Sequence, residues 1–219
     1  MTGSDQPDAV RTSELRSVQN TISVYNDPAF AEMYFLKWRR DLPCAELAAF
    51  SHRVGAGRTV LDAGCGPGHH TDHLNRLGHH TIGIDLATAG LHLAKTTFKG
   101  SDFVRANMLQ TPFTDGTFSG IWACASVMHL PQAFLGTGLR EFHRVLAPGG
   151  IIALTLTVET KAHVDRFGRF FEFYPRSYLT EQIAETGFVI EEIEQRTHDK
   201  TTEEDGRTAG WMTITASKE

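Results

Sequence analysis

Val60-Leu-Asp-Ala-Gly-Cys-Gly-Pro-Gly68 places three glycines at alternate positions directly after a short apolar run. Glycine lets a backbone turn sharply and come close to a ligand. The helix expected near His69–Leu77 would add unpaired N–H groups at its start. A plain tight strand-to-helix turn would use the same residues, but two acids argue for a ligand. Asp62 stands two residues before Gly64, and Asp85 closes the next apolar run, 19 residues after Gly66. A carboxylate at that second place can accept from both hydroxyls of a ribose, so Gly64, Gly66, Gly68 and Asp85 read as a nucleoside site. The spacing is GxGxG, with His69 where a dinucleotide loop has its third glycine. Asp62 adds a negative charge that suits a ligand bearing an ammonium group and opposes a phosphate.

A second cluster, Cys124-Ala-Ser126 with His129-Leu-Pro131, follows a later strand. In open α/β sheets the carboxyl ends of strands line the ligand crevice, so these residues should face the same site. His129 alone among them has an unperturbed pKa near neutrality, which makes it the candidate general base. Its plainer role is to orient the loop through a backbone carbonyl. His69, His70, His73, His79 and His80 invite a metal reading, since His69 and His73 would share a helical face. Only Asp72 stands near enough to add a ligand, so solvated histidines are expected and no metal. Cys65, between the glycines, has no cation nearby in sequence to activate its thiol, and close packing is expected there.

The elements that would position these groups fall into two parts. Residues 12–24 carry Leu15, Val18 and Ile22 on one helical face. Asp27-Pro28 reads as an N-cap with proline at the first helical position, and a third helix is expected near 44–53 with Leu47, Phe50 and Val54 inward. After Gly55-Ala-Gly57 the pattern becomes strand, loop, helix, strand. Thr59–Asp62, Thr81–Asp85, Asp102–Ala106, Thr117–Ala123 and Gly150–Val158 are the strand runs. Leu86/Leu91/Ala94/Phe98 and Leu135/Leu139/Phe142/Leu146 are the helical stripes between them, with Pro148-Gly-Gly150 expected to turn the second into its strand. This alternation implies a parallel sheet covered on both faces. Ser177 is expected to cap a helix closed by Gly187. Phe188–Arg196 and Trp211–Ser217 follow with no crossover helix between them, so they should pair antiparallel.

With these motifs in order, residues 55–217 resemble the class I S-adenosylmethionine-dependent methyltransferases of the small-molecule kind found in quinone and natural-product biosynthesis. Asp62–Gly68 is similar to that family's first motif and Gly83-Ile-Asp85 to its second. Phe113–Phe118 with Ile121–Ala123, and Glu141–Gly150, are similar to its segments around strands four and five. The resemblance implies a Rossmann-like seven-stranded sheet of order 3-2-1-4-5-7-6, ending in an antiparallel hairpin. It implies S-adenosyl-L-methionine as cofactor, held by Asp62, Gly64, Cys65, Gly66, Gly68, Asp85, Leu86, Asn107, Met108 and Ala125. Asn107 stands where the family often has Asp, and its amide oxygen can still accept from an adenine amino group. Ser119 also stands where Asp is common, which removes a structural hydrogen bond.

The reaction implied is in-line displacement of a methyl group from a sulfonium by a nucleophile, for which alignment and water exclusion matter most. A base is needed only where the nucleophile must lose a proton. The acceptor is expected to be a small apolar or aromatic metabolite. It would be reached from the N-terminal helices, by Tyr25 and Tyr34, and from an insertion after strand five whose Phe171 and Tyr174 sit in an aromatic cluster at helical spacing. That insertion, near 159–178, reads equally as a lid or as core. The whole chain, 1–219, is expected to be one α/β domain, with 1–54 a helical cap and 55–219 the core.

Composition narrows the alternatives. Lys and Arg number 21 against 26 Asp and Glu, a net charge of −5 without a basic run, so no nucleic-acid partner is expected. The longest apolar run, Gly150–Val158, is far short of the ~20 residues that span a bilayer, so no membrane partner is expected. Three cysteines in no CxxC pair and a polar, acidic start fit a reducing cytoplasm, as a monomer or homodimer. An NAD(P)-dependent oxidoreductase, disfavoured by the glycine spacing and Asp62, and a non-catalytic cofactor-binding module remain the alternatives.

Overall fold

The computed structural model describes residues 6–158, 161–197 and 210–219. Three helices open the chain: α1 (Gln6–Asn26), α2 (Pro28–Arg40) and α3 (Cys44–Val54). Asp27 separates the first two as the sequence predicts: its side chain accepts from the Phe30 N–H at 2.8 Å and Pro28 takes the first helical position. The core then alternates through β1 (Thr59–Ala63), α4 (His69–Arg76), β2 (His80–Asp85), α5 (Thr88–Thr97), β3 (Asp102–Arg105), β4 (Phe118–Cys124), α6 (Gln132–Val145) and β5 (Leu146–Val158). A small hairpin of β6 (His163–Val164) and β7 (Phe170–Phe171) follows, then α7 (Arg176–Glu185), β8 (Phe188–Thr197) and β9 (Gly210–Lys218).

Seven strands form one sheet in the order β3-β2-β1-β4-β5-β9-β8. The first five are parallel neighbours, and β9 pairs antiparallel with both β5 and β8. This is the Rossmann-like order that the family resemblance implies. Each strand's period of two sorts side chains onto opposite faces. Ile121 and Ala123 of β4 and Ile152 and Leu154 of β5 pack with Leu135, Leu139 and Phe142 of α6 and Leu179 and Ile183 of α7. Trp122, Cys124, Ile151 and Ala153, from the same strands, pack with Leu47 and Phe50 of α3 and Leu74 of α4.

Three local expectations differ from the structure. Pro148-Gly-Gly150 is no turn ahead of the strand. α6 ends at Val145, β5 begins at Leu146, and the irregularity is absorbed inside the β4–β5 pairing, where Phe118 faces Leu146 but Gly120 faces Ile151. Ser177 lies inside α7, whose N-cap is Pro175, while Gly187 at φ +90° does follow its end. The aromatic run Phe167–Tyr174 is a hairpin and coil rather than a helix, because Gly168 at φ +91° and the Asp165 side chain close a tight turn there. The acidic run Glu203–Asp205 lies outside the described residues.

Candidate functional site

A cavity of about 260 Å³ opens at the carboxyl ends of β1, β2 and β4. The glycine loop, Gly64 to Pro67, forms one wall; Asp85, Leu86 and Ala87 a second; Ala106 to Leu109 a third. Cys124, Ala125, Ser126 and His129 come from the end of β4, and Tyr25, Tyr34 and Trp38 from α1 and α2 form the roof.

The loop is held by the neighbouring strand. Gly64 and Cys65 N–H both donate to the Ile84 carbonyl, at 2.8 and 2.9 Å, so the chain must reverse within one residue, and Gly64 does so at φ +82°. A methyl group on Gly64 would fall 2.3 Å from Ser126 Cβ, whereas one on Gly66, at φ +49°, would meet only open space. Asp85 completes the wall. One carboxylate oxygen accepts from Gly66 N–H and the other from Ala87 N–H, both at 2.8 Å, leaving a lone pair on each for a ligand. Burial raises its pKa while those amides oppose the rise.

Asp62 and Gly68 do not line the cavity. Asp62 is almost wholly buried, accepts from the Thr71 hydroxyl at 2.6 Å, and is pushed up to about 7 by burial. It ties β1 to α4 beneath the loop. Gly68, at φ +86°, has Ala94 and Phe103 where a Cβ would stand. Cys65 lines the cavity but burial pushes its thiol well up, in keeping with packing rather than reactivity. Leu86, Met108 and Ala125 line it directly. Ala125 has φ +53°, a strained setting that recurs at functional sites. Asn107 is exposed on the same wall, and its side-chain oxygen already accepts from Leu109 N–H at 3.0 Å, leaving one lone pair.

His129 faces the cavity in a fixed tautomer. Its Nδ1 lies 2.6 Å from the Phe170 carbonyl oxygen, which can only accept, so Nδ1 carries the proton. Nε2 therefore keeps its lone pair, and the Tyr25 hydroxyl donates to it at 3.0 Å. Arg169 Nη1 in turn donates to Tyr25 Oη at 3.0 Å, and Asp165 holds that guanidinium through Nε and Nη2. Burial lowers the His129 pKa to about 4, away from the neutral value its residue type suggests. Tyr25 is raised by burial, with Arg169 opposing, so it stays a phenol. Sequence spacing gave no sign of Arg169 or Asp165, which stand 144 and 140 residues from Tyr25.

Other expected residues move out of the site. Phe171 and Tyr174 belong to the core beneath His129 rather than to the cavity wall, and Tyr174 Oη donates to the Leu130 and Val127 carbonyls. Tyr34, beside Tyr25 with ring centroids 5.4 Å apart, does line the cavity. Nor are the histidines uniformly solvated: His70 and His79 are buried, His79 against the Ser51 hydroxyl at 2.7 Å. Among the described residues no cluster of three His, Cys, Asp or Glu could hold a metal. No described helix is long and apolar enough to cross a membrane.

Residues 61–154 match the sequence profile of a methyltransferase domain. That stretch, a little under half of the chain, is thus similar to a methyltransferase domain. The matched stretch contains the glycine loop, Asp85, Asn107 and His129 of the cavity wall, while the roof residues Tyr25, Tyr34 and Trp38 lie outside it. A malonyl-[acyl-carrier protein] O-methyltransferase of Yersinia pestis is 35% identical over 103 residues, covering 47% of this chain and 38% of that protein. The chain thus spans well under two thirds of that relative. Solved structures share the fold at lower identity. A 1,6-didemethyltoxoflavin-N1-methyltransferase of Burkholderia thailandensis, solved with its substrate and S-adenosylhomocysteine, superposes with a TM-score of 0.69 at 19% identity over 100% of this chain and 91% of its own. The [4+2]-cyclase SpnF gives the same TM-score at 21% identity, over 80% and 79%. One fold thus carries more than one chemistry.

Three wall residues, His69 with both ring nitrogens among them, keep polar atoms unmet. His70 Nε2 and Ser126 Oγ are buried and have no hydrogen-bond partner among the described residues. Orphaned groups of this kind are costly unless a ligand or water meets them, so the cavity has the polar complement of a ligand site.

Proposed function

We propose that this chain transfers a methyl group from S-adenosylmethionine to a small, largely apolar or aromatic acceptor. The observation that carries the reading is Asp85: a half-buried carboxylate, pinned on both oxygens by loop amides, with its free lone pairs on the wall of a largely apolar cavity. Asp85 would accept from the ribose hydroxyls. Gly64, Cys65 and Gly66 would bring the backbone against the nucleoside, with Leu86, Asn107 and Met108 around the adenine and Ala125 at the end of β4. When bound, the cofactor supplies a methyl group on a sulfonium, whose departing thioether is neutral.

The chain's own work is then to seat the acceptor and exclude water. Leu15, Val18, Ile22, Leu130 and Phe134 give that end of the cavity its apolar lining, which fits an apolar or aromatic body. Tyr25 and His129 stand there as the polar pair. The Tyr25 oxygen takes one bond from Arg169 and lies beside the Tyr34 hydroxyl, the groups that an O–H or N–H of the acceptor would meet. A proton accepted at Tyr25 Oη would be matched by the Tyr25 proton passing to His129 Nε2. At a pKa near 4, His129 is a weak resting base, so this transfer would accompany methyl transfer rather than precede it.

The test is turnover on an acceptor panel with radiolabelled methyl donor, with Tyr25→Phe and His129→Asn beside the native protein. Native turnover, reduced about 10²–10⁴-fold in His129→Asn with S-adenosylhomocysteine affinity within a few-fold, is the expected result. Full turnover in His129→Asn would return that residue to loop orientation. Binding without turnover on any acceptor would favour a cofactor-binding module.

A further inference from the structure

Arg169 and Asp165 form an ion pair whose side chains are only 16% and 10% exposed. The guanidinium carbon lies 5.0 to 5.8 Å from the ring centroids of Tyr25, Phe30, Phe167 and Phe171. Taking an ion pair out of water is costly, and an apolar side chain of similar size would fill a cage of rings at least as stably. Nor does the hairpin turn need the guanidinium. The Asp165 side chain already accepts from the Phe167 and Arg169 N–H groups. Its backbone N–H donates to the Arg169 carbonyl, and its carbonyl accepts from Gly168 N–H. A buried charge that the turn does not require points to a task at the neighbouring site.

The bond that Asp165 does not take shows which task. Arg169 Nη1 donates to Tyr25 Oη at 3.0 Å, the phenol donates to His129 Nε2 at 3.0 Å, and His129 Nδ1 donates to the Phe170 carbonyl at 2.6 Å. A guanidinium can only donate and a carbonyl can only accept, so the two ends of this chain fix the direction of every bond between them. Both ends come from consecutive residues of one hairpin. That hairpin is also fastened to α1: Phe170 N–H donates to Thr21 Oγ1 at 2.9 Å, one helical turn before Tyr25. The charged groups felt by the pair are Arg169 and Asp165 of the hairpin and Asp85 of β2. Of these, Arg169 is the cation in contact with Tyr25 Oη, where negative charge gathers when the phenol's proton moves to His129.

We propose that Arg169 is a positioning residue for the reaction: its charge holds Tyr25 as the donor to His129 and offsets the negative charge on Tyr25 Oη while the acceptor's proton is relayed. The relay balances, since the acceptor's proton ends on Tyr25 Oη and the Tyr25 proton ends on His129 Nε2. The proposal rests on the methyl-transfer reading of the cavity and gives the β6–β7 hairpin, which lies behind the cavity wall, a part in turnover. What matters in Arg169 is then its charge, beyond its packing among the rings.

Arg169→Lys keeps a donor-only cation, whereas Arg169→Gln keeps a donor without the charge. With radiolabelled methyl donor and the acceptor panel, Arg169→Gln should lose about tenfold to a hundredfold in kcat at unchanged S-adenosylhomocysteine affinity. Arg169→Lys should recover most of that loss. Nitrogen NMR of the His129 ring adds a readout that needs no acceptor. Burial holds His129 at about 4, and the Arg169 charge adds to that lowering. His129 should therefore titrate nearer the ordinary imidazole value in Arg169→Gln and stay low in Arg169→Lys. A purely structural Arg169 would make the two variants alike. Equal losses of turnover, equal His129 titrations, or native kcat in Arg169→Gln would overturn the proposal. Should Arg169→Gln fail to fold, the double variant Arg169→Met with Asp165→Asn, which removes both charges from the cage, takes its place; the same loss in kcat is expected, and native kcat would overturn the proposal. Native protein that binds S-adenosylhomocysteine yet turns over no acceptor would instead sink the methyl-transfer reading, and the His129 titrations would still decide the task of Arg169.

Discussion

Tyr25 and His129, 104 residues apart, are joined by a hydrogen bond of 3.0 Å in which the phenol donates to the imidazole. That proton is placed by two outside groups: the Phe170 carbonyl fixes the ring's tautomer and Arg169 fixes the phenol's donor direction. The bond links the helical cap to the end of β4, so the cap is part of the site as well as its cover.

The pH dependence of turnover follows from this pair. Burial lowers His129 to about 4, so its basic form prevails at every pH above that value. The kcat/KM profile of the native protein should be flat from about pH 6 to 8 and fall only toward pH 4. An ascending limb centred near 6.5 would mean that His129 titrates as an open imidazole and that the buried pair does not form.

Phe171 and Tyr174 are expected to matter for stability first. Both are buried, and Tyr174 anchors the loop carrying His129 through the Val127 and Leu130 carbonyls. Phe171→Ala should cost about 3–5 kcal/mol, and Tyr174→Phe about 0.5–1.5 kcal/mol, in urea denaturation. Unchanged stability with a large rise in acceptor KM would restore the lid reading of this segment.

The two central glycines should fail in different ways. Gly64→Ala meets Ser126 Cβ at 2.3 Å in a left-handed backbone setting and should destabilise by about 2–5 kcal/mol. Gly66→Ala meets open space and should cost only about 1–2 kcal/mol of stability, while weakening nucleoside binding because its methyl group enters the cavity. Thermal melts with and without S-adenosylhomocysteine separate the two. Equal melting losses for both variants would contradict the loop geometry.

Stability should rise between about pH 4 and 6.5. His70 titrates near 3 and His69 and His129 near 4 in the folded protein, against about 6.5 unfolded. In that window the unfolded chain binds more protons, so the contribution of these histidines is complete above 6.5 and is lost as pH falls. His69, less deeply buried, contributes least. Asp62 works the other way. Raised to about 7, it stabilises below pH 3.8 and loses that contribution as pH rises through 7. Asp62→Asn should therefore steepen the rise in melting temperature from pH 4.5 to 6.5; a flat profile in the native protein would contradict the buried neutral histidines.

The strand succession, the glycine loop and Asp85 were legible in the sequence because each rests on local pattern: alternating apolar runs, glycine spacing, an acid at a strand end; the order of the strands in the sheet came from the family resemblance. The pairing of β8 with β9 was legible from the missing crossover helix. Partners across the fold were not. Nothing near His129 in the chain points to Tyr25 or Arg169, and nothing near His70 points to Trp122, 52 residues away. Burial then set those histidines' charge states, which residue type alone misjudged. The aromatic run Phe167–Tyr174 misled because helical spacing and a short hairpin can carry the same residues, and only Gly168 with the Asp165 side chain decides between them.

Calorimetric titration of S-adenosylhomocysteine into the native protein and Asp85→Ala, with NADH and NADPH as competitors, tests the central claim most directly. The account predicts that S-adenosylhomocysteine binds, that neither nicotinamide nucleotide displaces it, and that the folded Asp85→Ala variant binds it ~1.5–3 kcal/mol more weakly. Unchanged affinity in Asp85→Ala, or binding of a nicotinamide nucleotide in place of S-adenosylhomocysteine, would contradict it.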